Sequence, residues 1–227
     1  MSLVVLENIQ KEYIVGGNTT KVLRDITLSI EKNEFVALMG QSGSGKTTLM
    51  NIIGMLDTPT SGRYILNGND ISKVDDDTLS KLRNQFVGFI FQSFYLIPYS
   101  TVLENVLLPI YYSGKDLGKY TEKAKELLNK LGLFEKRNNK PNQLSGGQQQ
   151  RVAIARALIN DPEMILADEP TGQLDSDTAK NIMDYIVKLN EEGKTIILVT
   201  HDQSIASYAK RVMRIADGLL VDTSTNS

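Results

Sequence analysis

An apolar run, Phe35-Val36-Ala37-Leu38-Met39, leads directly into Gly40-Gln41-Ser42-Gly43-Ser44-Gly45-Lys46-Thr47. The run suits a strand covered on both faces. The eight residues after it fit G-x-x-x-x-G-K-[ST], a pattern with a mechanical reason behind each position. Glycines let the backbone curl so that successive N–H groups point inward at phosphate oxygens. The helix expected to follow adds its positive N-terminal end. Lys46 supplies a charge to the terminal phosphates, and the Thr47 hydroxyl is placed to ligate Mg²⁺. The loop therefore predicts a bound nucleoside triphosphate, while leaving open which class of P-loop protein carries it.

The rest of the chain supplies a frame for this loop. Short apolar or β-branched segments at 4–9, 26–30, 35–39, 64–66 and 86–91 read as strands, several of them separated by turn formers such as Gly16-Gly17-Asn18 and Asn67-Gly68-Asn69. From about residue 93 to 160 the period becomes helical. Leu103, Val106, Leu107 and Ile110 share one face, and Ala124, Leu127, Leu128 and Leu131 another, with Thr121 to Glu126 opening that second helix and Gly132 closing it. Beyond Asp161-Pro162 the pattern alternates again: strand 164–167, helix 176–190, strand 195–200, helix 203–209 and strand 212–215. A polar tail from Asp222 is expected to fray, and Asp75-Asp76-Asp77 to be the solvated start of a helix. The sum is a parallel α/β core whose sequence is split by a helical lobe.

Composition narrows the partners. A formal charge of -2 gives no general reason to bind nucleic acid. The chain has no cysteine, which excludes disulfides and thiolate metal sites. No apolar run approaches the roughly 18 residues of a membrane span; the best, at 102–112, is interrupted by Glu104, Asn105 and Pro109. The N-terminus lacks a basic region and a cleavage site, so a cytoplasmic location is expected. Any role in transport would then use spans on another chain.

Three further clusters carry chemistry. Leu144-Ser145-Gly146-Gly147-Gln148 combines a hydroxyl, two small residues and the start of a helix, a second anion-binding geometry. The strand 164–167 ends in Asp168 and Glu169, whose alternation along a strand would aim the two carboxylates to opposite sides. His201, the single histidine, follows the strand 195–200 at the end where open α/β sheets place ligands.

Leu-Ser-Gly-Gly-Gln after a P-loop, followed by the acidic pair and Thr200-His201-Asp202, resembles the ABC ATPase family over nearly the whole chain. The resemblance implies one domain over 1–227: a P-loop NTPase core with a mainly parallel sheet and an N-terminal antiparallel β subdomain (1–92 and 161–227), interrupted by an α-helical signature subdomain (93–160). It implies that ATP is held by Gly40, Gln41, Ser42, Gly43, Ser44, Gly45, Lys46, Thr47 and Thr48, with Tyr13 stacked on adenine. Two subunits pair head to tail, so Leu144, Ser145, Gly146, Gly147 and Gln148 of one cap the ATP of the other, and Asp175 lies in the loop where the pair meet. Thr47, Gln92 and Asp168 would serve Mg²⁺. Glu169 would polarise the attacking water, with Lys46, Gln92 and His201 completing the catalytic set. Two departures, Gln41 for a frequent proline and Gln173 for alanine or asparagine, touch no obligatory chemistry.

Gly54-Met55-Leu56-Asp57-Thr58-Pro59-Thr60-Ser61-Gly62, Leu82-Arg83-Asn84, Pro141-Asn142-Gln143 and the triple glutamine 148–150 are similar to the branch serving lipoprotein-releasing and macrolide or antimicrobial-peptide export systems (LolD/MacB-type). That branch implies a homodimer on ATP, a separate integral-membrane permease and a peripheral position on the inner face of the cell membrane. A regulator of a cell-envelope complex, FtsE-like, is the alternative with the same engine. A soluble member acting on ribosomes or DNA would normally carry tandem cassettes or a coiled-coil insertion. A GTPase is disfavoured because Asn139-Lys140-Pro141-Asn142 lacks the aspartate that reads guanine.

Overall fold

The computed structural model describes residues 1–225, which form two compact units, one of 1–83 with 189–225 and one of 84–188. The first unit opens with a long hairpin, β1 (Ser2–Val15) and β2 (Asn18–Glu31), turned by Gly16 and Gly17. β1 also pairs with β4 (Ser61–Leu66), and β4 with the two-residue β5 (Asn69–Asp70), giving an antiparallel sheet in the order β2-β1-β4-β5. Both hairpin strands outrun the apolar segments that betray them. The outer half of β2 is exposed, so its polar residues read as loop until the partner strand is seen.

In the same unit β3 (Phe35–Met39) is buried along its whole length. It lies parallel to β8 (Thr195–Val199) on one side and to β9 (Arg211–Ala216) on the other. Helix α1 (Lys46–Ile53) follows the P-loop and turns Leu49, Met50, Ile52 and Ile53 inward. The expected frayed tail is instead β10 (Leu219–Thr225), paired antiparallel with β9 as far as Thr225↔Arg211. Backbone pairing along an edge does not need apolar side chains, so polarity alone misled there; Asn226 and Ser227 lie outside the described residues.

Helix α2 (Asp76–Phe86) begins where the aspartate run predicts, with Asp75 Oδ1 accepting from Thr78 N at 2.7 Å. Its last residue is Phe86, and the strand β6 starts one residue later (Val87–Phe91). In the second unit β6 lies parallel to β7 (Met164–Asp168). Three helices pack together there: α3 (Val102–Tyr111), α4 (Leu117–Lys130) and α5 (Gly146–Leu158). Helix α4 starts a turn earlier than Thr121, because Asp116 caps it through Gly118 N. The long α6 (Ser176–Glu191) and the short α7 (Gln203–Ala206) complete the set; α7 ends well before residue 209.

Candidate functional site: a phosphate loop, a signature turn and two strand-end clusters

In the first unit the loop between β3 and α1 has the backbone of an anion cradle. Gly45, the residue before α1, holds φ 107, in the left-handed region open to glycine. A Cβ on Gly40 would come within 2.3 Å of the Ile215 carbonyl oxygen, so only glycine fits between the loop and β9. Lys46 Nζ donates to the carbonyls of Gly40 and Gln41, each at 2.7 Å, which draws its ammonium across the loop. Two of its three donors are thereby used. Ser44 Oγ is buried with no hydrogen-bond partner, a hydroxyl inside the cradle that suits a phosphate oxygen. Thr47 is exposed on the first turn of α1.

Register brings His201 to the same end. Leu38 of β3 pairs with Val199 of β8, and Thr200 N donates to Leu38 O at 3.2 Å. The P-loop and His201 thus leave neighbouring parallel strands at one level, two residues beyond that pair. His201 is exposed, and Asp202 beside it caps α7 by accepting from Ser204 N and Oγ at 2.7 Å each. Those bonds, the hydroxyl's foremost, hold the Asp202 carboxyl below the usual carboxylate range.

Tyr13 approaches α1 from β1. Its hydroxyl donates to Asp57 Oδ2 at 2.7 Å, and 37% of the residue is exposed. Partial burial and the bond to Asp57 push the phenol up from its ordinary value, with Thr48 acting in the opposite sense. Lys11 Nζ reaches Asp57 Oδ1 at 2.6 Å and Thr58 O at 2.7 Å. Partial burial pushes the Asp57 carboxyl up, but Lys11, Tyr13 and the Thr58 N–H together outweigh it and hold the group low.

The second unit gathers the remaining candidates. Phe91 of β6 pairs with Asp168 of β7, so Gln92 and Glu169 are each the next residue past one rung of a parallel ladder. Glu169 is not on the strand: its φ is 44, a left-handed turn closed by Gly172 N donating to Glu169 O at 3.1 Å. Strand alternation therefore does not separate the two carboxylates, as the sequence suggests; a turn does. Gln92 packs on that turn, since a Cβ on Gly172 would meet its Nε2 at 2.7 Å. Ser145 caps α5 in a reciprocal box with Gln148: Gln148 Oε1 accepts from Ser145 N at 3.0 Å, and Ser145 Oγ from Gln148 N at 3.4 Å. Gly147 lies against Thr178 and Gly146 near Leu174, so the signature turn abuts the start of α6. Asp175 caps that helix, accepting from Thr178 N at 3.0 Å; the Thr178 side chain and N–H hold its carboxyl low.

Sequence reasoning missed the residues that hold these parts still. Gln150 is fully buried and donates to Pro170 O at 2.6 Å and Phe91 O at 3.4 Å, joining α5 to both strand ends. Arg156 donates to the carbonyls of Tyr95 (2.6 Å) and Phe94 (2.8 Å), and burial pulls its guanidinium down from its usual value. Asn105, which interrupts an apolar helix face, is fully buried and bonded to Ile97 N and O, Ser100 O and Thr101 O. A buried polar residue on an apolar helix face was the available signal for Asn105; nothing local marked the other two. Beside them a groove of about 310 Å³ is lined by Phe94, Tyr95, Leu96, Pro98, Pro141 and Gln149, among others.

A sequence model of the ABC transporter family matches residues 23–172, about two thirds of the chain. The chain belongs to that family. A macrolide export ATP-binding/permease protein MacB of Mannheimia succiniciproducens is 51% identical over 98% of the chain, which spans only 34% of that relative. The ABC transporter ATP-binding protein YknY of Bacillus subtilis is 49% identical over 98% of this chain and 97% of its own length. A dimeric structure of the ATP-binding cassette MJ0796, bound to ADP and Pi in a post-hydrolysis state, superposes with a TM-score of 0.89 at 46% identity and covers 98% of both chains. The fold is accordingly that of an ABC ATPase cassette, with one antiparallel sheet, one mainly parallel sheet and packed helices. Among the described residues of this ABC chain, no helix is long and apolar enough to cross a membrane.

Proposed function

We propose that this ABC cassette binds and hydrolyses ATP as a head-to-tail homodimer and drives a membrane permease of the MacB or LolD kind from the inner face of the membrane. The observation that carries the reading is the P-loop: a sterically closed glycine at Gly40, a left-handed one at Gly45, Lys46 drawn across the loop and an unpartnered buried hydroxyl at Ser44. Residues 40–48 hold the phosphates and Tyr13 the base. Leu144 to Gln148 of one copy cap the ATP of the other, and Asp175 sits at their contact. Residues 93–160 act as the helical lobe and the rest of 1–227 as the nucleotide-binding core.

Hydrolysis needs a base within reach of a water and positive charge on the developing phosphate. Glu169 is the base, held out of the strand by its turn, with Gln92 packed on the same turn and assigned to the same water. Lys46 neutralises charge, and His201 contacts the terminal phosphate. The donors Thr47, Gln92 and Asp168 are all oxygen, which suits Mg²⁺, an ion that keeps waters and substrate phosphates rather than an all-protein cage. Held there, Mg²⁺ would supply positive charge that withdraws electron density from the phosphate oxygens.

The MacB relatives support an export or extraction role over envelope regulation. Glu169→Gln keeps the side chain's size and removes the base. It should lower steady-state ATPase at least about 100-fold while trapping an ATP-bound dimer, seen as a doubling of mass by light scattering. Unchanged turnover, or a monomer at saturating ATP, would overturn the assignment.

A further inference from the structure

Lys11 is buried, yet its ammonium serves no surface role. It lies 4.9 Å from the centroid of the Tyr13 ring and is fixed to Asp57 Oδ1 and Thr58 O. The other carboxylate oxygen of Asp57 takes the Tyr13 hydroxyl, and Asp57 Oδ1 also accepts from Thr58 N at 2.7 Å. The three side chains thus bond to one another and to the Thr58 backbone, with Tyr13 also meeting Thr48. The ring is pinned at its hydroxyl and backed on one face by a cation, and 37% of the residue is exposed.

We infer that Lys11 and Asp57 are positioning residues that hold the Tyr13 ring as a one-sided platform for the purine of the nucleotide. The inference rests on the reading of Tyr13 as the base-binding residue and adds how the ring is preset. Two physical arguments support it. A part-buried ion pair, with 11% of the Lys11 and 26% of the Asp57 side chain exposed, is a poor device for stability alone, since solvent screens its attraction and apolar residues of similar volume often hold two segments together as well. What the pair supplies is orientation: a carboxylate that accepts from a lysine on one oxygen and a phenol on the other fixes their relative geometry. A ring already fixed loses little rotamer freedom when a base stacks on it, so affinity rises without any new contact to the ligand. The cation on the far face adds a cation–π attraction that further restrains the ring.

The test is calorimetric binding of ADP and of inorganic tripolyphosphate to the purified chain. Asp57→Asn and Lys11→Met should each weaken ADP by about three- to tenfold and leave tripolyphosphate unchanged, because only ADP carries a base. In a Tyr13→Ala background neither substitution should weaken ADP further. A loss shared equally by both ligands, no loss for ADP, or a loss that persists without the ring would overturn the inference. If Tyr13→Ala itself leaves ADP affinity intact, the base-binding reading fails instead. Should Asp57→Asn and Lys11→Met both fail to fold, Tyr13→Phe removes only the tethering oxygen and must show the same selectivity for ADP on a smaller scale. Equal affinities for ADP in Tyr13→Phe and the unaltered chain would then count against it.

Discussion

Glu169 holds φ 44, in the left-handed region that side chains larger than asparagine seldom enter, at a cost of roughly 1–3 kcal/mol. Such a cost persists only where surroundings over-determine it, and here the turn to Gly172 and the buried Pro170 do so. Placing the carboxylate off the strand gives it a direction that the strand could not. A second carboxylate shows a different use of local bonds. Asp70 accepts from Ser72 N and Oγ and from Arg63 Nε, whose guanidinium also meets Glu7. The Ser72 hydroxyl first, then its N–H and Arg63, hold the carboxyl down to about 2. An unfolded aspartate titrates near 3.9, so the folded state binds this proton less readily. The resulting stabilisation is complete above about pH 4 and is lost as the pH falls toward about 2. The difference in urea midpoint between the unaltered chain and Asp70→Asn should therefore stay constant from about pH 5 to 8 and shrink below about pH 4.

Helix α5 shows which elements a single chain declares and which it conceals. Its N-terminus is written locally: Ser145 and Gln148 stand three apart and form the capping box that their spacing allows. The P-loop is legible for the same reason, since strand, glycines, lysine and helix are contiguous. The face of α5 that matters is not. Three glutamines stand in a row at 148–150, and only packing shows that Gln150 is the buried one, reaching Phe91 and Pro170. Lys11 finds Asp57 across 46 positions, and Arg156 finds Tyr95 across 61. Pairings at such separation leave no period or motif in the sequence. The outer half of the β1–β2 hairpin and the polar β10 were hidden by the reverse effect, backbone pairing that asks little of side chains. Because Gln150 serves carbonyls at both strand ends, Gln150→Ala should cost about 1–3 kcal/mol for the buried groups it strands. Its neighbour Gln149, half-buried with one bond to Leu144 O, should cost less than about 1 kcal/mol as Gln149→Ala. Urea unfolding of the two variants makes the comparison.

At the level of the whole molecule, the question is whether the lysine loop and the serine-glycine turn that serve one ATP belong to one copy or to two. Lys46→Ala removes the charge from the phosphate loop, and Ser145→Arg places a bulky cation in the signature turn; each variant alone should be inactive, while circular dichroism confirms that both fold. If the partners belong to different copies, a mixed dimer contains one site built from two intact halves and one site built from two damaged halves. Random pairing of equal amounts makes half of the dimers mixed, so activity should recover to at most about a quarter of the unaltered level. If the two elements that serve one ATP come from the same copy, every site in every dimer carries a damaged half, and mixing restores nothing. ATPase rate against mixing ratio distinguishes the cases, because exchange between copies gives a curve that peaks near equal amounts, whereas sites confined to one copy give a flat line. The peak is expected here: Ser145 Oγ accepts from Gln148 N and so keeps its O–H to donate, and with the amides of Gly146 and Gly147 it can meet a phosphate brought to the turn from outside.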